Sequence, residues 1–179
     1  DWYPDYKMTY VKNFSSTQNA QRFDAEYFQP KYDDLIIKIK SYDEGWDTVS
    51  NLLTLKTRNF DPDINEIYRY IELANIVGDG EISGSTELMG DELPSRARRK
   101  VSNGDVIISS VEGSLSSVAV ITEDYEGVLC STGFHVVNSS IINSETLMVL
   151  MKSIVGQMQL NKGCSGSILQ AIKKDELKK

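Results

Sequence analysis

A single histidine in 179 residues is the scarcity that excludes most. No multi-histidine zinc site can be built from it, and a Ser-His-Asp constellation would have to use His135, which stands between Phe134 and Val136 in an apparent strand. The expectation there is a strand histidine, either buried and hydrogen-bonded or facing solvent. Cysteine is nearly as rare: Cys130 and Cys164 fit no C-x-x-C spacing and are read as free thiols of a reducing cytoplasm. No apolar run approaches the roughly 18 residues of a membrane span, so the protein is read as soluble, cytoplasmic and without a membrane partner. The opening Asp1-Trp2-Tyr3-Pro4-Asp5 has no basic start followed by an apolar stretch and is read as no secretory signal. Also missing are a Gly-x-Gly-x-x-Gly loop, a Gly-x-x-x-x-Gly-Lys-Ser/Thr phosphate loop and an Asn-Pro-Pro-aromatic motif. The expectation is no cofactor, no metal and no methyl transfer by this chain alone.

Basic residues are outnumbered, and the net charge of -7 argues on its face against a polyanionic partner. The distribution is more telling than the total. Residues 1–90 hold 9 Lys and Arg against 16 Asp and Glu, whereas residues 91–179 hold 10 against 10. The bases of the second half gather at Arg96, Arg98, Arg99 and Lys100, and again at Lys173, Lys174, Lys178 and Lys179. A local basic patch can hold phosphate on an acidic protein, although the long-range field does not help encounter.

What is present is a core-forming composition, 40% hydrophobic, enough for one domain. Residues 1–22, including Asn13-Phe14-Ser15-Ser16-Thr17-Gln18-Asn19, show no usable period and are read as loop or peripheral extension. After Pro30 the pattern predicts a helix ending near Ser41, with Tyr27, Leu35, Ile36 and Ile39 on one face and Lys31, Asp33, Lys38 and Lys40 outward. Short apolar runs between turns then predict strands at 68–73, 105–111, 118–121 and 134–137. A polar loop carrying Gly78, Gly80 and Gly84, read as positive-φ turn residues, separates the first two. A second helix is expected from Ser144 to Val155, with Gly156 as its stop. The fold class is α+β: a β-rich domain of short mixed strands over 43–179, preceded by an extension and helix over 1–42. No internal repeat or low-complexity tract is seen.

Two stretches invite a chemical reading. Gly163-Cys164-Ser165-Gly166-Ser167 matches the Gly-x-Ser-Gly pattern of serine nucleophiles, but it lacks a suitable histidine base; a hydrolase using Ser165 or Cys164 is the enzyme alternative. Leu93-Pro94-Ser95-Arg96-Ala97-Arg98-Arg99-Lys100 is the stronger feature. If extended, it projects Arg96 and Arg98 to one side and Arg99 to the other. Arginine suits phosphate contact and bidentate reading of guanine edges. The bland alternatives are a charged loop pairing with Asp91 and Glu92, or an Arg98 that satisfies a carboxylate such as Asp105. Ser114 and Ser116 after Gly113, and Lys162 and Ser165 around Gly163, lie in small polar loops able to approach a nucleic-acid backbone.

Several phrases stand in order along the chain: Arg22-Phe23-Asp24-Ala25-Glu26-Tyr27-Phe28-Gln29-Pro30-Lys31-Tyr32; Tyr70-Ile71-Glu72-Leu73-Ala74-Asn75-Ile76 with Gly80-Glu81-Ile82; Leu93 to Arg98 leading to Val101 and Gly104-Asp105-Val106-Ile107-Ile108-Ser109; Ser131-Thr132-Gly133-Phe134; and the glycine-serine loop at 163–167. Together they resemble the specificity (S) subunits of type I restriction-modification systems. The resemblance implies one target-recognition half that grips double-stranded DNA, no catalysis of its own, a methyltransferase (M) subunit as partner and a motor-restriction (R) subunit engaged indirectly. It also implies a spacer helix after Lys179, most of which this chain is expected to lack. Arg96, Arg98, Arg99, Lys100, Ser114, Ser116, Lys162 and Ser165 are the expected DNA contacts. A protein-interaction module holding the methyltransferase, and the recognition region of a fused restriction-methylation enzyme, are the alternatives.

Overall fold

The computed structural model describes residues 9–164, 171–172 and 174–177. The described residues begin with the helices α1 (Phe14–Ala20), α2 (Pro30–Lys40) and α3 (Val49–Leu52). Pro30 occupies the first turn of α2, where its missing N–H costs nothing, and Ser41 ends it. Tyr32 is buried, Leu35, Ile36 and Ile39 are half-buried, and Lys31, Asp33, Lys38 and Lys40 face solvent, as the period predicts. Of the loop or peripheral extension expected over residues 1–22, the loop reading gives way at α1. The seven residues FSSTQNA form a helix with no buried side chain, so no apolar period could announce it.

Among the described residues ten strands follow, in two four-stranded sheets and a short hairpin. The strands are β1 (Thr54–Lys56), β2 (Ile67–Ile71), β3 (Ile76–Val77), β4 (Glu81–Ile82), β5 (Thr86–Met89), β6 (Ala97–Lys100), β7 (Val106–Ser109), β8 (Val118–Val120), β9 (Leu129–Ser131) and β10 (Phe134–Asn138). The first sheet runs β1-β10-β7-β8 and the second β5-β2-β9-β6, with β2 and β9 parallel and the other neighbours antiparallel. The polar loop expected between the first two strands contains the β3–β4 hairpin and β5, and Gly78, Gly80 and Gly84 do take positive φ.

Two sheets and a helix layer explain why the run at β7 is apolar without alternation, since both of its faces are covered. Val106 and Ile108 join Val118, Val137, Leu147, Met151 and Leu160 beneath the helices α4 (Ser144–Lys152) and α5 (Ile154–Cys164). Ile107 points the other way, into the layer between the sheets, with Ile71, Ile121, Cys130, Phe134 and Val136. A third cluster, Tyr70, Leu93, Ala97 and Leu129 with Phe60, Tyr68 and Leu88 against it, covers the outer face of the second sheet.

The expected stop at Gly156 is also overturned. Ser153, with its backbone extended, ends α4, and its hydroxyl accepts from the Gly156 N–H at 3.1 Å as α5 begins. Gly156 lies inside α5 because a Cβ there would stand 2.3 Å from the Leu150 carbonyl oxygen. Close approach to α4, not helix termination, is what requires glycine. Asn143 rather than Ser144 caps α4, accepting from the Thr146 N–H at 2.7 Å. The short α6 (Lys174–Leu177) packs against α5, and residues 171–172 are stitched to the end of β7 by a Val111–Ala171 bridge and an Ile172 N–H to Ser110 O bond of 2.8 Å.

Candidate nucleic-acid interface

The basic run is an edge strand of the second sheet. Leu93 and Ala97 are buried and fix it to the outer cluster, while Arg96 and Lys100 are exposed and Arg98 and Arg99 half-exposed. A simple alternation does not run through it. Ala97 pairs with Ser131 and Arg99 with Cys130, so Arg98 sits at a bulge, and such an irregularity on an edge re-aims side chains and blocks pairing with another chain. Neither bland reading of the arginines matches the geometry. No ion pair links them to Asp91 or Glu92 among the described residues, and the Glu92 carboxylate instead accepts from the Met89 N–H. Asp105, 2% exposed, is held by Lys56 at 2.7 Å, the Ser102 N–H at 2.8 Å and the Asn138 amide at 3.3 Å. Arg98 is not its partner.

Both ends of β6 are tied to other segments. At its start, Arg96 O accepts from the Thr132 N–H at 2.8 Å, at the corner between β9 and β10. Gly133 O in that corner accepts from both the backbone N–H and the hydroxyl of Ser110. Ser109 and Ser114 then share a hydrogen bond of 2.9 Å, and the Cys164 thiol reaches Ser110 O at 3.6 Å. Arg96, the Ser114 turn and the end of α5 therefore meet around residues 132–133, three segments far apart in sequence. At the far end of β6, Arg98 O accepts from the Phe60 N–H at 2.8 Å, the Arg99 guanidinium donates to Thr57 O, and the Lys100 ammonium lies 5.1 Å from the Phe60 ring centre. Sequence reasoning missed this second segment and its Arg58, which carries no local signal.

The remaining candidates are placed less directly. The Ser114 hydroxyl is spent on its own turn, donating to Val111 O at 3.0 Å. Ser116 is exposed, and its carbonyl accepts from the Lys152 ammonium at 3.1 Å. Lys162 sits over the Tyr27 ring at 4.9 Å and near Tyr32 at 5.9 Å, which docks α5 against the N-terminal segment. In that segment Arg22 clasps Asp24 with two hydrogen bonds; burial alone would raise the Asp24 carboxyl, and the guanidinium holds it below its usual value. Ser165 and Ser167 lie outside the described residues.

The groups an enzyme reading would use are turned inward. His135 is 8% exposed, and its Nε2 lies 2.9 Å from Ile172 O; burial depresses its pKa. Burial pushes the Cys130 thiol up to about 12 and also raises Cys164, so neither is poised as a thiolate. Among the described residues no group of three His, Cys, Asp or Glu is placed to hold a metal, and no helix is long and apolar enough to cross a membrane.

No family model and no curated protein matches the sequence. Solved structures do. A chain from work on complex assembly and conformational transition of the type I R-M system superposes with a TM-score of 0.67 at 27% identity, over 74% of this chain and 35% of that one. The HsdS subunit from Thermoanaerobacter tengcongensis gives 0.64 at 27% identity, over 74% and 36%. The fold is that of an HsdS target-recognition domain. The chain spans about a third of the length of the solved chains it matches. The HsdS likeness covers the α+β class and the flanking helices.

Proposed function

We propose that the chain reads a short DNA sequence as one recognition half of a type I specificity subunit, placing methylation and restriction subunits on their target without catalysis of its own. The observation that carries this is the joining of an HsdS-like fold to an arginine-rich edge strand fixed at both ends. Binding favours such a strand, because little conformational freedom is lost when it meets a rigid duplex. Arg96 and Arg98 supply charge-assisted bonds to phosphate or to guanine edges, with Arg99 and Lys100 beside them. Ser114 and Lys162, engaged internally, shape the second wall, and Ser116 and Ser165 complete the proposed contacts. With a net charge of -7, affinity arises from this local patch and not from the field of the whole molecule.

The test is selection from a randomised duplex library by the chain, with and without a methyltransferase subunit, at two salt concentrations. Enrichment of a motif of about three to five base pairs, with affinity falling as salt rises, supports the reading. The Arg96→Ala, Arg98→Ala double variant should then lose affinity and salt dependence together. No enrichment even with the partner favours the second reading, a module that holds a methyltransferase subunit. That alternative has its own support in the apolar elbow of α4 and α5, where Val149 is 62% and Ile154 80% exposed.

A further inference from the structure

Resting on that reading, we infer that Arg58 is a DNA-phosphate contact, presented by a preformed loop that adds a second segment to the interface beside β6. The loop between β1 and β2 is anchored on both sides of this residue. Before it, Thr57 O is held by the Arg99 guanidinium. After it, the Phe60 N–H is bonded to Arg98 O, and the Phe60 ring packs edge-on to Tyr68 at 5.7 Å under the Lys100 ammonium. Further along, the Asp63 side chain accepts from the Asn65 N–H at 2.8 Å, and the Tyr68 hydroxyl accepts from the Asp63 N–H at 3.0 Å. Gly90 closes the base of the loop, since a Cβ there would stand 1.9 Å from Asp63 O. Thr57, Arg58 and Asn59 are left exposed on a pinned backbone alongside the arginines of β6.

The use of the neighbouring cations separates Arg58 from the rest. Lys56 is committed to the buried Asp105, Arg99 to Thr57 O, and Lys100 to the Phe60 ring. Arg58 makes no hydrogen bond, ion pair or ring contact among the described residues. An arginine whose flanking backbone is fixed by three separate contacts, while its guanidinium meets no internal partner, is not there to hold the fold. Its five donors suit an anionic oxygen outside the chain. Because it stands next to the strand already proposed to meet DNA, that oxygen belongs to the duplex backbone.

Arg58→Ala and Arg58→Lys are compared with wild type and with the Arg96→Ala, Arg98→Ala variant, using the full chain and the duplex selected above, from 50 to 200 mM salt. A phosphate contact contributes about 0.9 to the slope of log affinity against log salt, so wild type should lose about threefold more affinity than Arg58→Ala across that range. Arg58→Ala should weaken binding to all sequences alike, leave the melting temperature unchanged, and be largely restored by lysine. Unchanged affinity and slope in Arg58→Ala, while the β6 variant loses both, would overturn the Arg58 assignment alone. A change in preference at one base position without a change in slope would also overturn it, in favour of base reading. Failure of wild type to bind any duplex would overturn the recognition reading, and this inference with it.

Discussion

At the scale of single residues, Asp105 gathers the most polar contacts in the core. Its carboxylate is almost wholly buried and is satisfied by a lysine, a backbone N–H and an amide. Removing one member of such a group strands the others, so Asp105→Ala should cost roughly 3–5 kcal/mol, read as a lower urea midpoint at unchanged m-value. Asp105→Asn keeps an acceptor for Ser102 and should cost less; equal losses would show that the charge alone matters. His135 makes a different prediction. Burial lowers its folded pKa, so below the ordinary value of about 6.5 the unfolded chain binds the proton more readily than the native one. Stability contributed by the neutral imidazole is therefore present above that pH and lost as pH falls. His135→Gln should flatten this part of the stability profile, measured by denaturant titration between pH 7.5 and 5. That His135 stands in a strand was legible from its apolar neighbours, whereas the sequence left open whether it is buried or faces solvent. Arg58 was not, because nothing in Thr57-Arg58-Asn59 says that the loop is bonded to a strand some forty residues later.

At the scale of elements, the legible ones were those whose period is dictated by burial on known faces. The α2 stripe and the β-branched run of β7 are examples, one covered on a single side and the other on both. Elements that answer to partners far away in the chain were hidden. Leu129-Cys130-Ser131 is too short to show alternation, yet it is fully buried as β9, and Ala97–Lys100 reads equally as an extended segment or a charged loop until its pairing with β9 is seen. Gly156 shows the same limit from the other side, since local rules make it a helix end and only the approach of α4 makes it a helix interior. Gly156→Ala would raise intrinsic helix propensity, yet it forces a methyl against the Leu150 and Met151 carbonyls. The packing conflict should win, with a loss above about 1 kcal/mol and a drop in melting temperature of at least about 2–4 °C. A stabilised variant would mean that α4 and α5 are free to part.

At the scale of the whole molecule, β9 and β10 carry a disproportionate share. Each is an interior strand of its own sheet, and only Thr132 and Gly133 separate them. One stretch of ten residues, 129–138, thus completes both sheets and also supplies the corner on which Arg96 and Ser110 hang. The consequence concerns the order of events in folding. On a ribosome the pairings of β2 with β5, β3 with β4 and β7 with β8 have both members early, but β1 must wait for Asn138, and the parallel partner of β2 comes only at Leu129. Such distant pairings are slow to form because a long loop must close before any contact repays it. A chain ended at Gly127 should accordingly stay without fixed tertiary structure, giving collapsed amide dispersion in its NMR spectrum, whatever its helices do. Nascent chains halted before residue 129 would lack both interior strands, with the strand edges of both sheets open to neighbouring chains until this ten-residue segment arrives.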